Sequence, residues 1–291
     1  MLIVRLTGGL GNQLFQYALA RRLAYARSEP FKLDISGFAT YKLHKYSLGH
    51  FNIMEDFARP EEVAAIAYGA NVFAKAARKL GNKLKPYYRR SIIAERQYNF
   101  DPEVLKAGGD AYLVGYWQTE KYFKDIESVI RQDLAFKTAP DDANAQMARQ
   151  IAACNAVSLH VRRGDYVSDP RINTAHGATP LEYYRKAVDL LAAKAPDIHI
   201  FIFTDDPEWA RHNISFNQQA TLIANNNAGR NYEDLRLMSL CKHNIVANSS
   251  FGWWGAWLNQ NPSKIVIAPA EWVQSPALKN RDLIPEHWIC L

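Results

Sequence analysis

The second half of the chain alternates between two kinds of segment. Five apolar runs, AVSLHV (156–161), IHIFIFT (198–204), ATLIA (220–224), NIVAN (244–248) and KIVIA (264–268), are separated by stretches with helical spacing at 181–194, 207–212, 231–242 and 250–259. This pattern leaves few folds open. Parallel strands need long crossover connections, and helices in those crossovers cover both faces of the sheet. Runs that are apolar nearly throughout, instead of at every second position, are what a strand buried on both faces requires. Ligands of such sheets bind beyond the carboxyl ends of the strands, so the residues just after each run deserve the closest reading.

The first half is less regular. LIVRL (2–6) reads as a buried strand, TGGLG as a turn, and NQLFQYALARRLAYAR (12–27) as a helix with Leu14, Tyr17, Ala18 and Leu23 on or near one face. FKLDI (31–35) and AYLVGYW (111–117) read as further strands, residues 60–90 as helical and basic, and 119–134 as a helix. The most polar, breaker-containing connection is KTAPDDANAQ (137–146). A boundary there divides the chain into domains of ordinary size, 1–145 and 146–291, with the C-terminal segment free to pack back on the first.

Composition narrows the class of protein. Hydrophobic residues make up 48% and charged residues 22%, which suits a soluble globular chain and not a disordered one. The net charge of +6 is compatible with an anionic ligand, an anionic membrane surface or nucleic acid. Three widely spaced cysteines, Cys154, Cys241 and Cys290, with no CxxC pair, read as reduced thiols and not as a zinc site or a disulfide framework. No signal peptide and no apolar stretch of membrane-spanning length is visible, so the expected location is cytoplasmic, with at most a peripheral position on the inner face of the membrane.

Four places carry candidate chemistry. GGLGNQ (8–13) follows a strand and opens a helix; its glycines, Gly9 and Gly11 among them, suit close approach of a phosphate, and Asn12 is either a ligand contact or the N-cap of a plain turn. HVRRGD (160–165) sets Arg162 and Arg163 at a strand's carboxyl end, where guanidinium groups bind phosphate bidentately. There Asp165 is placed to orient an arginine or to act as a base, and His160 is either a base or a core side chain. In FTDDPEW (203–209), Asp205 and Glu208 have capping-box spacing, leaving one of Asp205 and Asp206 to accept hydrogen bonds from the N–H groups of a purine. In NSSFGWWGAWL (248–258), Ser249 or Ser250 can cap a helix whose positive end, at Phe251, suits a phosphate, while Trp253, Trp254 and Trp257 read as core. No D-x-D triplet and no P-loop occurs, so no metal site is expected and the arginines and helix ends are left to neutralise a diphosphate.

Taken in order, GGLGNQLFQYA, HVRRGDYV, FTDD and NSSFGWWGAWL resemble the motifs of the α-1,2-fucosyltransferases, and the resemblance spans residues 1 to about 270. It implies an α/β, GT-B-like fold of two Rossmann-like domains facing across a cleft, the first on the acceptor side and the second binding the donor. It implies inverting transfer of L-fucose from GDP-fucose to the 2-hydroxyl of a galactoside, with a galactoside-terminated glycan or glycolipid as acceptor, no metal and no cofactor. By the same resemblance Gly9, Gly11 and Asn12 approach the phosphate–fucose end, Arg162 and Arg163 stabilise departing GDP, Asp205 or Asp206 holds guanine, and Ser249, Ser250 and Phe251 present the helix end to the diphosphate. The general base stays open between Asp165, His160 and no base at all.

Two other readings compete. GGLGNQ with Asp34 has the outline of a dinucleotide fingerprint, though Leu14 stands where its third glycine belongs, and it would make the chain an NAD-dependent oxidoreductase. The stretch KAARKLGNKLKPYYRR (75–90), with seven Lys or Arg and no acid, would suit a module lying on an anionic membrane. No nucleic-acid-recognition motif accompanies that charge.

Overall fold

A computed structural model describes the chain except for residues 42, 70–80, 82–83, 171–172, 175–176 and 276–280 and the side chains of Asp165 and Ser168. Half of the basic stretch 75–90, residues 75–80 and 82–83, lies outside the described residues. Two compact units are present: Met1–Lys137 with Asn280–Leu283, and Thr138–Lys279 with Ile284–Leu291.

The division comes after Lys137, the first residue of the polar stretch that reads as a linker, and not at 145. Those polar residues start a helix. Asp141 is the N-cap of Asp142–Ala152, its carboxylate accepting from the Asn144 N–H at 2.9 Å, so the breaker signals mark a helix start inside the second unit. Of the C-terminal segment, Asp282 belongs to the first unit, where it accepts from Lys121 Nζ at 2.6 Å and from the Phe100 N–H at 2.9 Å.

Among the described residues the first unit holds four parallel strands, β1 (Leu2–Arg5), β2 (Phe31–Asp34), β3 (Ile92–Ala94) and β4 (Ala111–Val114), in the order β2-β1-β4-β3. The helix Leu10–Arg27 follows β1 and buries Leu14, Phe15, Tyr17, Ala18 and Leu19. Residues 119–134 do not form one helix; two short 3-10 turns precede a helix at Glu127–Asp133. Asp34, the acid that the oxidoreductase reading needs on a ribose, is buried: its carboxylate accepts from the Ser36 N–H at 2.9 Å and the Tyr112 hydroxyl at 2.6 Å. It serves the turn after β2, which removes the second half of that fingerprint.

Among the described residues the second unit holds six parallel strands: β5 (Asn155–Val161), β6 (Ile198–Thr204), β7 (Gln219–Ile223), β8 (His243–Ile245), β9 (Val266–Ala268) and β10 (Ile289–Cys290). Their order is β10-β9-β8-β5-β6-β7. Both faces are covered, which is why the strands read as continuous apolar runs. Val157, Leu159, Val161, Ile200 and Ile202 pack under Tyr184, Ala187, Val188 and Leu191 of the helix Leu181–Lys194. Ala156, Phe201 and Phe203 face the other way, against Ile151 and against Leu237 and Met238 of the helix Asn231–Leu240. Each Val, Leu, Ile, Phe or Met among them contributes roughly 1.5–3 kcal/mol when taken out of water, before entropy is counted.

Candidate active site

In the second sheet the chain adds β6 and β7 on one side of β5, then β8, β9 and β10 on the other. The reversal lies between β5 and β8, and the loops at such a switch point diverge to leave a crevice. The three strand ends at and beside it, those of β8, β5 and β6, carry the NSSF, RRGD and TDDP segments. Three of the four sequence motifs are thus brought to one edge of one sheet.

The arginine pair is held by the end of β6. Arg162 Nη1 lies 2.8 Å from Asp205 Oδ2, and the Arg163 N–H donates to Asp205 Oδ1 at 2.9 Å. A Cβ at Gly164 would stand 2.6 Å from Asp205 Oδ2, so glycine is what admits the carboxylate into the turn. The Arg163 guanidinium stacks on Trp209, 3.6 Å from the ring centroid, with Nε 3.7 Å from Asp206 Oδ2. Arg162 lies 5.5 Å from the Tyr166 ring, and the Tyr166 hydroxyl donates to the Asn248 carbonyl at 3.0 Å, tying this turn to the end of β8. Arg162 is 25% and Arg163 21% exposed, so both keep a face to solvent while their directions are set.

The aspartates divide their work differently from the capping-box expectation. Asp206, not Asp205, is the N-cap of the helix Pro207–Asn213, accepting from the Trp209 N–H at 3.1 Å. Asp205 is not spare; it organises the arginines. At the end of β8 the cap of the helix Ser250–Leu258 is Ser249, whose Oγ accepts from the Phe251 N–H at 3.3 Å. Asn248 is buried and donates to the carbonyls of Gly177 (3.0 Å) and Trp272 (3.2 Å). Trp253, Trp254 and Trp257 are buried against one another, as their core reading expects.

His160 lies within β5 and is 5% exposed, its ring 5.6 Å from that of Phe251. Burial drives its pKa down to about 4, with Arg162 adding to the fall and Asp205 opposing it. Among the described residues Nδ1 has no hydrogen-bond partner. A neutral ring enclosed between strand and helix is poorly placed to take a proton from an acceptor hydroxyl, so the core reading of His160 is the better one. Asp165 falls in the short helix Gly164–Ser168, and its side chain lies outside the described residues.

The first unit has its own switch point, between β1 and β4. The helix after β1 starts at Leu10 with Gly9 as N-cap, so Asn12 is not the cap; it sits in the first turn. Gly8, not Gly9 or Gly11, is the position that only glycine fills: its φ is +77°, and a Cβ there would meet Asn12 Nδ2 at 2.5 Å. Asn12 Oδ1 accepts from Gln118 Nε2 at 2.7 Å across the switch point. Two glutamines hold the loop. Buried Gln13 donates to the carbonyls of Gly8 and Lys45, both at 2.9 Å, and Gln16 accepts from the Thr7 N–H (2.9 Å) and donates to the Gly115 carbonyl (3.0 Å).

The model of glycosyl transferase family 11 matches residues 1–291. The chain belongs to that family. An α-1,2-colitosyltransferase of Escherichia coli is 31% identical over 99% of this chain and 98% of its own length. The O-antigen biosynthesis glycosyltransferase WbnK of Escherichia coli is 28% identical over 92% and 93%. A galactoside 2-α-L-fucosyltransferase of Caenorhabditis elegans is 25% identical over 66% of this chain and 56% of its own. Among solved structures, Arabidopsis thaliana FUT1 in complex with GDP superimposes with a TM-score of 0.55 at 10% identity, covering 99% of this chain and 75% of that one. The family 11 enzyme is thus a glycosyltransferase of the GT-B fold, with two Rossmann-like α/β units.

Several residues of the candidate site were not given a role by the sequence reading although most lie inside its motifs: Trp209 and Tyr166, which flank the arginines, and Gln13 and Gln16, which shape the loop. Trp209 had a further signal, as an aromatic one helical turn after a strand-end cap. Gln118 lies outside the motifs and had none, because its partner is an asparagine far along the chain.

Proposed function

We propose that this enzyme transfers L-fucose from GDP-fucose to the 2-hydroxyl of a galactoside, with inversion at the anomeric carbon and without a metal ion or other cofactor. The observation that carries the reading is the meeting of Arg162, Arg163 and the N-terminus of Ser250–Leu258 at the ends of adjacent strands beside the switch point. A departing nucleoside diphosphate gains negative charge as its bond to the sugar breaks. Fixed guanidinium groups and a helix N-terminus stabilise that charge without reorganising at the moment of reaction. On this reading Arg162 and Arg163 face the diphosphate, Ser250 and Phe251 offer the helix end, and Asp206 is the strand-end carboxylate left for guanine. Asp205 acts through the arginines. Gly8, Asn12 and Gln118 belong to the sugar and the acceptor.

A second donor has support of its own. The relative that is 31% identical over nearly the whole chain carries the name α-1,2-colitosyltransferase. Colitose lacks the hydroxyl that fucose bears at carbon 3. A site built to hydrogen-bond that hydroxyl rejects the deoxy sugar strongly, whereas an apolar wall there discriminates by only about 10- to 200-fold. The deciding experiment titrates GDP-fucose, GDP-colitose and NAD by calorimetry and assays transfer from each sugar nucleotide to β-galactosides. Binding of NAD in preference to GDP would overturn the transferase reading. Transfer from GDP-colitose but not GDP-fucose would keep the chemistry and change the donor.

A further inference from the structure

The transfer proposed above leaves one proton without a destination. The acceptor oxygen forms its bond to the anomeric carbon while the bond from that carbon to phosphate breaks, its electron pair leaving on GDP. The acceptor's hydroxyl proton must then go to a base or to water. His160 is enclosed in the second unit, but the first unit offers a carboxylate at a strand end.

β3 ends at Ala94, and Glu95 is the next residue. β4 ends at Val114, and the chain turns through Gly115, Tyr116 and Trp117. Glu95 Oε2 accepts from the Tyr116 N–H at 2.7 Å and Oε1 from the Trp117 N–H at 3.0 Å. Trp117 is buried in a left-handed conformation, φ +57°, uncommon for a bulky residue. A Cβ at Gly115 would stand 2.5 Å from Glu95 Cβ, so the turn is shaped around this side chain. Because β1, β4 and β3 are neighbours, their ends set Asn12, then Tyr116 and Gln118, then Glu95 in a row along one edge of the sheet.

We propose that Glu95 is the general base of the transfer, its carboxylate held on the N–H groups of Tyr116 and Trp117 and accepting the acceptor's hydroxyl proton as the new glycosidic bond forms. The assignment rests on the transferase reading of the preceding section. Each carboxylate oxygen spends one lone pair on a backbone donor and keeps another for the hydroxyl. Among the described residues no Lys or Arg makes an ion pair with Glu95; the neighbouring Arg96 is bonded to Asp101 at 2.5 Å and lies over the Tyr87 ring. A half-buried carboxylate on two neutral donors, without a counter-ion, is costly to keep and marks a site of use. Burial raises its pKa and the two N–H bonds draw it back, with a net rise toward the range where a base works best. The titratable groups that face it are the phenols of Tyr87, Tyr116 and Tyr122, all raised by burial and therefore neutral in that range.

The alternative role for Glu95 is to shape the turn alone, and the experiment separates the two. Calorimetry with GDP on the wild type reports on the transferase reading by itself; no binding overturns that reading and this assignment with it. Glu95→Ala is expected to lower kcat by about 100-fold or more, with GDP affinity kept within about two-fold, and sodium formate should restore turnover by about ten-fold. Turnover within about three-fold of wild type overturns the base. So does a loss that formate does not restore, which assigns Glu95 to the turn. Glu95→Gln and the wild-type pH profile serve if the alanine variant does not fold. The wild-type kcat should fall as the pH drops through the raised titration of this carboxylate and the residual rate of Glu95→Gln should not; a flat wild-type profile overturns the assignment.

Discussion

Gln118 Nε2 donates to Asn12 Oδ1 at 2.7 Å across the place where the first sheet reverses its direction of strand addition. The bond joins the loop after β1 to the loop after β4, and each loop is separately pinned by Gln13 or Gln16. The groups read as holding the nucleotide are in the other unit. Asn12→Ala and Gln118→Ala should therefore lower kcat by about ten-fold or more while GDP affinity stays within about two-fold, because on the proposed reading the contact bears on sugar and acceptor. The double variant should cost little more than either single one, since both remove the same bond. Equal loss of GDP binding and turnover in Asn12→Ala would make this loop a primary nucleotide site.

Arg162→Ala and Arg163→Lys should each lose most of the activity while the fold is retained. A single charge-assisted hydrogen bond of ~1.5–3 kcal/mol corresponds to a loss of roughly 10- to 100-fold. Lysine cannot supply two parallel N–H donors or the planar face that stacks on Trp209. Steady-state rates with circular dichroism check this, and near-normal turnover in both variants would take the diphosphate away from these residues.

The sheet of the second unit was legible because its inner strands, β5, β6, β8 and β9, are buried on both faces and so print runs, and because Asp206 and Ser249 are ordinary cap residues at helix starts; the two-residue edge strand β10 prints none. The first unit was legible only at its ends. β3 has three residues, too few to show a period. The run 111–117 looks like one strand because Tyr116 and Trp117 are strand formers, yet the chain turns after Val114 on the glycine at 115 and the carboxylate of Glu95. The helix Asp142–Ala152 was hidden by its own start signals, Pro140 and Asp141, which read as breakers. The motifs marked the arginines, but which aspartate supports them and which caps a helix depends on the direction of each carboxylate. Adjacent letters do not carry that.

The two aspartates should separate in experiment. Asp206→Ala removes a helix cap as well as the carboxylate that the proposed reading gives to guanine, so it should cost about 1 kcal/mol of stability, read by chemical denaturation, besides weakening GDP binding. Asp205→Asn should weaken GDP binding, read by calorimetry. One of its two oxygens becomes an amide that cannot accept, and the Arg162 guanidinium loses its ionic partner. Wild-type GDP affinity in Asp205→Asn would show that the arginines hold their directions without it.

Chelation should leave the initial rate unchanged. On the proposed reading the positive charge offered to the leaving group comes from Arg162, Arg163 and the start of Ser250–Leu258, none of which needs an added ion. The measurement is the rate in EDTA, with and without re-added magnesium or manganese. Strict dependence on either ion would mean that the arginines do not suffice.

His160 should make the fold sensitive to mild acid. Burial lowers its pKa to about 4 from the model-compound value of 6.5, so the folded chain keeps the ring neutral where the unfolded chain protonates it. Between those values the unfolded state binds more protons, and stability rises with pH. The contribution is fully present above the unfolded pKa and is lost as pH falls toward the folded one, by up to about 3 kcal/mol. Urea denaturation at neutral pH and near the lower end of that window, on wild type and His160→Gln, tests this. The variant will start from a lower stability, because the ring packs against Phe251, but that offset is the same at both pH values. What His160 contributes is the difference in slope. The wild type should lose more stability than the variant across the window, and equal losses would mean that the ring is already charged, or already solvated, in the folded protein.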